Sequence, residues 1–209
     1  MCGFFGLQSY QLDTNEKIRI SKKAIDLLNH RGPDFNDIAL DDDNNLVFSH
    51  NRLSILDLSP TGSQPMKSFL GNFVIIYNGE IYNHKQLRYE LKSKNNFISW
   101  RGTSDTETLL QAIEIWGLEK TLKKINGMFS FALWDRKLKK LYLARDRFGE
   151  KPLYYGWSKN NFHFSSELKS ISNNPHFEKI IDPKVLSLYL NLNYIPTPYT
   201  IYKDIYKLE

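Results

Sequence analysis

Cysteine is almost missing from this chain: 209 residues carry a single one, Cys2. A lone cysteine rules out an internal disulfide and fits a reducing compartment. No run approaches the ~20 consecutive apolar residues of a membrane-spanning helix. The first residues, MCGFFGLQSY, have neither the basic segment nor the long apolar stretch of a secretory leader. The expectation is a cytoplasmic protein with no membrane partner. Glycine stops at Gly156, so nothing after it can supply a glycine-rich phosphate loop. Long blocks of one charge are missing as well. The net charge of +5 comes from scattered residues, with Lys22-Lys23, Lys123-Lys124 and Lys139-Lys140 as isolated pairs. No nucleic-acid-binding motif accompanies them, so a solvated surface accounts for them and no nucleic acid is expected as a partner.

What is present suits one packed domain, with 41% hydrophobic and 24% charged residues. Phe4, Phe5, Leu7 and Tyr10 predict an apolar strand that starts almost at the first residue and keeps the terminus from fraying. Ile18, Ile25 and Leu28 recur at helical spacing across 17–30, and Gly32-Pro33 ends the pattern. A second helix is expected around Leu87 and Leu91. A third opens at a capping box, Ser104 with Glu107, followed by Leu109, Ile113 and Trp116. Strand-like runs cover Leu46–Leu53 and Phe73–Tyr77. Two hairpins follow, one joining 129–134 to 141–144 and one joining 153–157 to 162–165. Hairpins separated by helices predict an α+β domain: two antiparallel sheets face to face with helices outside. The stretch YIPTPYTIYKDIY (194–206) is too apolar to stand bare in water and is expected to cover a surface or meet a partner.

The position of Cys2 carries a chemical implication. Removal of Met1 would leave a thiol and a free α-amine on one residue. An α-amine with a pKa of about 7.7–8.0 can accept a proton at neutral pH, and a thiol near ~8.5 releases one more readily than any hydroxyl. An N-terminal amine can thus activate a nucleophile on its own residue. The competing reading is that a small second residue merely permits methionine removal.

Eight ordered blocks, the first containing Cys2, settle the choice. The blocks MCGFFG, RGPD (31–34), NRLSILDLSPTGSQPM (51–66), YNGEIYNH (77–84), GTSDTETLL (102–110), NGMFSFALWD (126–135), ARDRFGEKPLYY (144–155) and SSELKSI (165–171) occur in that order. Together they resemble the glutaminase domain of class II glutamine amidotransferases, in the branch of glutamine-hydrolysing asparagine synthetases, across residues 2–208. The resemblance implies a four-layer α/β/β/α N-terminal-nucleophile hydrolase sandwich of two antiparallel sheets. It implies hydrolysis of L-glutamine to glutamate and ammonia through a Cys2 thioester, with the residue's own amine moving the proton.

By the same resemblance, the Asn78 side-chain amide and the Gly79 backbone N–H form the oxyanion hole. Taken alone, Asn78-Gly79 also reads as a type I′ hairpin turn. Arg52 matches the family's carboxylate-binding arginine, whose fork suits a carboxylate. Asp105, assisted by Glu80, matches the site for the substrate's ammonium, although an acid just after the Ser104 cap also suits a helix start. Leu53, Ser54 and Ile55 are expected along the pocket wall. Arg31 and Asp34 are expected to pin a loop or form a turn salt bridge, and Arg145-Asp146-Arg147 reads as an ion-pair turn. His30, His50 and His84 lie apart without close ligand partners, and the implied glutaminase site needs no metal.

The domain division implied is 1–190 for the glutaminase and 191–209 for the start of a linker to an ATP-dependent synthetase domain. ATP and Mg2+ belong to that further domain, so no cofactor is expected in residues 1–209. The partners implied are L-glutamine and the synthetase domain, with a homodimer left open. Three alternatives stand beside this reading: a related enzyme amidating another carboxylate such as a surface sugar acid, an amidohydrolase for a different amide, and a non-catalytic glutamine-binding module.

Overall fold

Side chains alternate across a strand, so a strand covered on both faces must be apolar on both. The segment GFFGLQ meets that condition. In the computed structural model, which describes residues 1–41, 43, 45–94 and 98–209, it forms the interior strand β1 (Gly3–Gln8). There follow α1 (Thr14–Leu28), β2 (Phe35–Leu40), β3 (Leu46–Arg52), β4 (Met66–Lys67), β5 (Phe73–Ile81), α2 (His84–Lys94), α3 (Asp105–Trp116) and α4 (Leu118–Lys124). The remainder is β6 (Gly127–Asp135), β7 (Lys140–Arg145), β8 (Tyr154–Ser158), β9 (Asn161–Ser165), α5 (Leu168–Ser172), α6 (Pro183–Leu192) and β10 (Ile205–Lys207). Among the described residues the strands make a six-stranded sheet, β10-β8-β9-β1-β3-β2, and a four-stranded sheet, β4-β5-β6-β7. Their pairings are antiparallel.

The alternation in β1 sorts the layers. Phe4 packs with Leu46, Phe48, Val74, Ile76 and Trp134 between the two sheets. Phe5 and Leu7 face the other way, onto Ile20, Ala24 and Leu28 of α1 and Ile171 of α5. On the far side, Ile75, Tyr77 and Ile81 of β5 meet Leu87 of α2 and Leu109 and Ile113 of α3. The result is the four-layer α/β/β/α sandwich of two antiparallel sheets. Each fully buried Phe or Leu contributes roughly 1.5–3 kcal/mol relative to exposure, so the three apolar layers carry most of the stabilisation.

Several local expectations change. Helix α1 starts earlier than the apolar spacing indicates, because Asp13 Oδ1 accepts from the Glu16 N–H at 2.9 Å and caps it. Asn78-Gly79 is not a turn: β5 runs on through both residues, pairing Asn78 with Ser130 and Gly79 with Phe129. A Cβ on Gly79 would lie 2.3 Å from the Met128 carbonyl oxygen, so the glycine admits a close strand rather than a reversal. The second hairpin does turn through positive φ, at Lys159 and Asn160. In the tyrosine-rich tail, Ile205–Lys207 pairs with β8 as an edge strand, while Tyr194 and Tyr199 stay exposed. No helix among the described residues is long and apolar enough to cross a membrane.

Gly6 sits where the aromatic layer closes. A Cβ there would lie 1.9 Å from the Phe164 ring, which packs edge-on against Phe48 at 6.0 Å. Gly6→Ala is expected to destabilise the fold by about 1–3 kcal/mol through overpacking. The measurement is urea unfolding, with a lower midpoint at unchanged slope. A native midpoint would mean that Phe164 is free to leave the strand.

Candidate active site

Cys2 lies just ahead of β1 and on the same side as Phe4, so it opens onto the space between the sheets at the strand's beginning. Its surroundings hold it tightly. Arg31 Nε donates to the Cys2 carbonyl at 3.0 Å, and Arg31 Nη1 pairs with Glu167 at 2.9 Å. Further along, Phe4 N–H donates to Ser166 Oγ and Ser166 N–H to the Phe4 carbonyl. The thiol reaches the end of β3, where the Leu53 N–H lies 3.4 Å from Sγ. Burial pushes the Cys2 thiol up, while the Leu53 backbone, the positive chain start and Arg52 pull it down.

Across the cavity stands Asn78. Its side chain is fully buried, yet among the described residues neither its amide nitrogen nor its amide oxygen has a hydrogen-bond partner. A buried amide left unpaired costs about 1–3 kcal/mol, so a group of this kind calls for a reason. Asn78 and Gly79 line the same cavity as Cys2, together with Glu80.

Arg52 ends β3 and is buried at 7% exposure. Its Nη1 donates to the Ser59 carbonyl at 2.8 Å and its Nη2 to the Asp57 carbonyl, so the loop after β3 aims the guanidinium. That loop is held in turn by Asp57. The Asp57 carboxylate accepts from Ser59 N–H (2.9 Å), Ser59 Oγ (2.6 Å), Thr103 N–H (2.7 Å) and Thr61 Oγ1 (3.2 Å). Burial pushes its carboxyl up, but these donors outweigh burial and hold it well below the usual range.

Thr103 precedes the start of α3, so Asp57 ties the Arg52 loop to Asp105. Ser104 caps the helix through the Glu107 N–H at 3.2 Å. The reciprocal half of the capping box is replaced: Glu107 takes the N–H groups of Arg101 and Gly102 and pairs with Arg88. At the first helical position, Asp105 Oδ2 accepts from Tyr77 Oη at 2.8 Å and from Ile81 N–H at 2.9 Å. Burial pushes the Asp105 carboxyl up against the pull of those donors. The helix end and the cavity wall are therefore one feature.

The cavity brings together Cys2, Arg52, Leu53, Ile55, Asn78, Gly79, Glu80 and Asp105. Ser54 stands outside the lining, with its N–H donated to Asp34 Oδ2 at 2.7 Å. Arg31 and Asp34 form no turn salt bridge with each other; one holds the chain start and the other the end of β3. The ion-pair reading of 145–147 also gives way. Asp146 accepts backbone N–H groups of Phe129, Phe148, Glu150 and Lys151, and Arg145 donates to the carbonyls of Gly149, Lys151 and Leu208. His50 Nε2 donates to the Tyr77 carbonyl (3.0 Å), and burial pushes the pKa of the ring down to about 4. Since the carbonyl can only accept, Nε2 carries the proton.

Sequence reasoning missed Asp57, Gln64, Tyr77 and Lys151. The Asp57-x-Ser59 spacing is an Asx-turn pattern and could have exposed the first. Gln64 fixes β5 by accepting from the Tyr77 N–H at 2.6 Å, a tertiary bond that no local pattern displays.

The profile of a glutamine amidotransferase domain matches residues 1–209. A putative glutamine-hydrolysing asparagine synthetase 2 of Methanocaldococcus jannaschii is 39% identical over 228 positions, which take in 100% of this chain and 42% of the relative. The glutamine-hydrolysing asparagine synthetase 3 of Bacillus subtilis is 36% identical, across 100% of this chain and 34% of its own. The chain thus spans less than half the length of these relatives. Among solved structures, the B. subtilis glutamine phosphoribosylpyrophosphate amidotransferase with ADP and GMP superposes with a TM-score of 0.71 at 19% identity. It covers 87% of this chain and 46% of its own, a likeness of fold.

The depressed Asp57 carboxyl links stability to pH. Its contribution is fully present above the ordinary value near 3.8 and drains away as pH falls through the lowered folded value. Asp57→Asn is expected to cost about 1.5–3 kcal/mol at pH 7. In thermal melts across pH, the gap to the native protein should narrow below pH ~4. A gap that stays constant in acid would contradict this role.

Proposed function

The chain belongs to the glutamine amidotransferase domain family, and on that premise we propose that it releases ammonia from L-glutamine, with Cys2 as nucleophile after removal of Met1. The observation that carries the reading is the buried, unpartnered Asn78 amide lining one cavity with the thiol. A buried polar group left unpaired is pre-organised for charge that appears only during reaction.

The thiol proton passes to the Cys2 α-amine as Sγ bonds to the side-chain amide carbon of glutamine. The amide oxygen becomes an oxyanion, which accepts from Asn78 Nδ2–H and the Gly79 N–H. As it collapses, the α-ammonium returns the proton to the leaving nitrogen, and ammonia departs from a glutamyl thioester. Water then adds to the thioester carbon, giving its proton to the same amine, and the proton passes to sulfur as glutamate leaves. Arg52 binds the substrate's α-carboxylate, and Asp105 with Glu80 binds its α-ammonium. The raised, desolvated state of the Asp105 carboxyl suits a group whose partner is a cation.

The ammonia is proposed to serve a synthetase domain that follows residues 191–209, where ATP and Mg2+ would activate a carboxylate. The relatives' names favour aspartate as that acceptor. Another acid remains the second reading, since the acceptor pocket lies outside residues 1–209.

Glutamate and ammonia release from L-glutamine tests the proposal on Met1-free protein. Cys2→Ala is expected to abolish turnover with an unchanged melting temperature. Asn78→Ala should lower kcat by roughly 10²–10³. Arg52→Lys should raise KM, because lysine has no fork for the carboxylate. Native kcat in Asn78→Ala would remove the oxyanion assignment, and glutamine binding without turnover in the native protein would favour a binding module.

A further inference from the structure

A buried lysine ordinarily has a carboxylate partner. Among the described residues Lys151 has none. It is 5% exposed and lines the cavity of Cys2, with its Nζ 2.9 Å from the Met1 Sδ. Its backbone cannot drift, because Lys151 N–H donates to Asp146 Oδ2 at 3.0 Å and its carbonyl accepts from Arg145 Nε at 2.7 Å. The next carbonyl, of Pro152, accepts from Ser130 Oγ, and Ser130 is the cross-strand partner of Asn78. The Lys151 backbone is therefore tied to the strand paired with Asn78, and its ammonium lies against the Met1 side chain at the chain start.

We propose that Lys151 is a positioning residue for the proton shuttle: its uncompensated charge beside the chain start keeps the Cys2 α-amine unprotonated and ready as a base. The proposal rests on the glutaminase reading above. Of the other charged groups around the chain start, Arg31, Asp34, Asp105 and Arg52 are already engaged. Arg31 is paired with Glu167 and the Cys2 carbonyl, and Asp34 accepts from Ser54. Asp105 accepts from Tyr77 and Ile81, and Arg52 donates to the carbonyls of residues 57 and 59. Glu80 lines the cavity half-exposed. At the present amine, on Met1, burial comes first in lowering basicity, and Arg31 and Lys151 add to it against the pull of the Cys2 thiol and Asp34. A less basic amine also makes a more acidic ammonium, which favours proton delivery to the leaving nitrogen.

The lone cysteine makes the test direct, since 13C-labelled cysteine gives signals from one residue. In Met1-free protein the Cys2 Cα shift reports the amine midpoint, expected below about 7.7 in the native chain. Lys151→Met should raise that midpoint by about one pH unit, as loss of a nearby like charge does. Lys151→Gln provides a second neutral variant should the first melt early, and Lys151→Arg should restore the native midpoint. The acidic limb of kcat/KM for L-glutamine should move with the midpoint. An unmoved midpoint in either folded neutral variant overturns the proposal. A moved midpoint with a stationary limb upholds the role of Lys151 and overturns the amine as catalytic base.

Discussion

A chain terminus frays unless other segments hold it, and a nucleophile on a frayed end is useless. Here the strand that follows Cys2 lies in the interior of a sheet. β1 is bonded on one side to β3 and on the other to β9, in register from Gly3↔Asn51 and from Phe5↔Ser165. That double pairing makes the first residues among the most constrained in the molecule. It also decides the rest of the geometry: β3 delivers Arg52 and Leu53 beside the thiol, and the packed face of Phe4 sets how closely β5 can approach.

Around this fixed start the cavity collects groups that oppose folding. Cys2 and Asp105 are pushed toward their neutral forms by burial, and among the described residues the Asn78 amide is unpaired and Lys151 has no carboxylate partner. Such groups are offset by the three apolar layers and by the carboxylates that gather backbone donors. Asp57 joins the Arg52 loop to the start of α3, and Asp146 plays the same part beneath Lys151. The two ends of the amino-acid substrate would thus be read by residues whose spacing is fixed through one carboxylate.

Much of this was legible in the sequence, and the exceptions share a cause. The Ser104 cap, the 159–160 turn and the strand at the chain start announce themselves through local chemistry. For Asn78-Gly79 the competing turn reading came from that pair's preference for reversal in isolation; nine residues of pairing with β6 keep it extended. Residues 145–147 read as an ion pair because opposite charges stand side by side, whereas backbone donors satisfy Asp146 instead. The edge strand β2 escaped notice because its residues are exposed or half-buried and show no clear apolar face. Nothing local to Lys151 signals its burial, which only the assembled fold reveals. Positions that matter through tertiary contacts have no periodic signature.

The central claim is that Cys2 bonds covalently to the glutamyl group. Acid quench of Met1-free protein turning over L-glutamine, followed by peptide mass spectrometry, addresses it directly. The account predicts one glutamyl adduct, confined to the peptide that begins with Cys2 and released by mild base as a thioester would be. Turnover with no adduct on that peptide, or with the adduct on another residue, would contradict it.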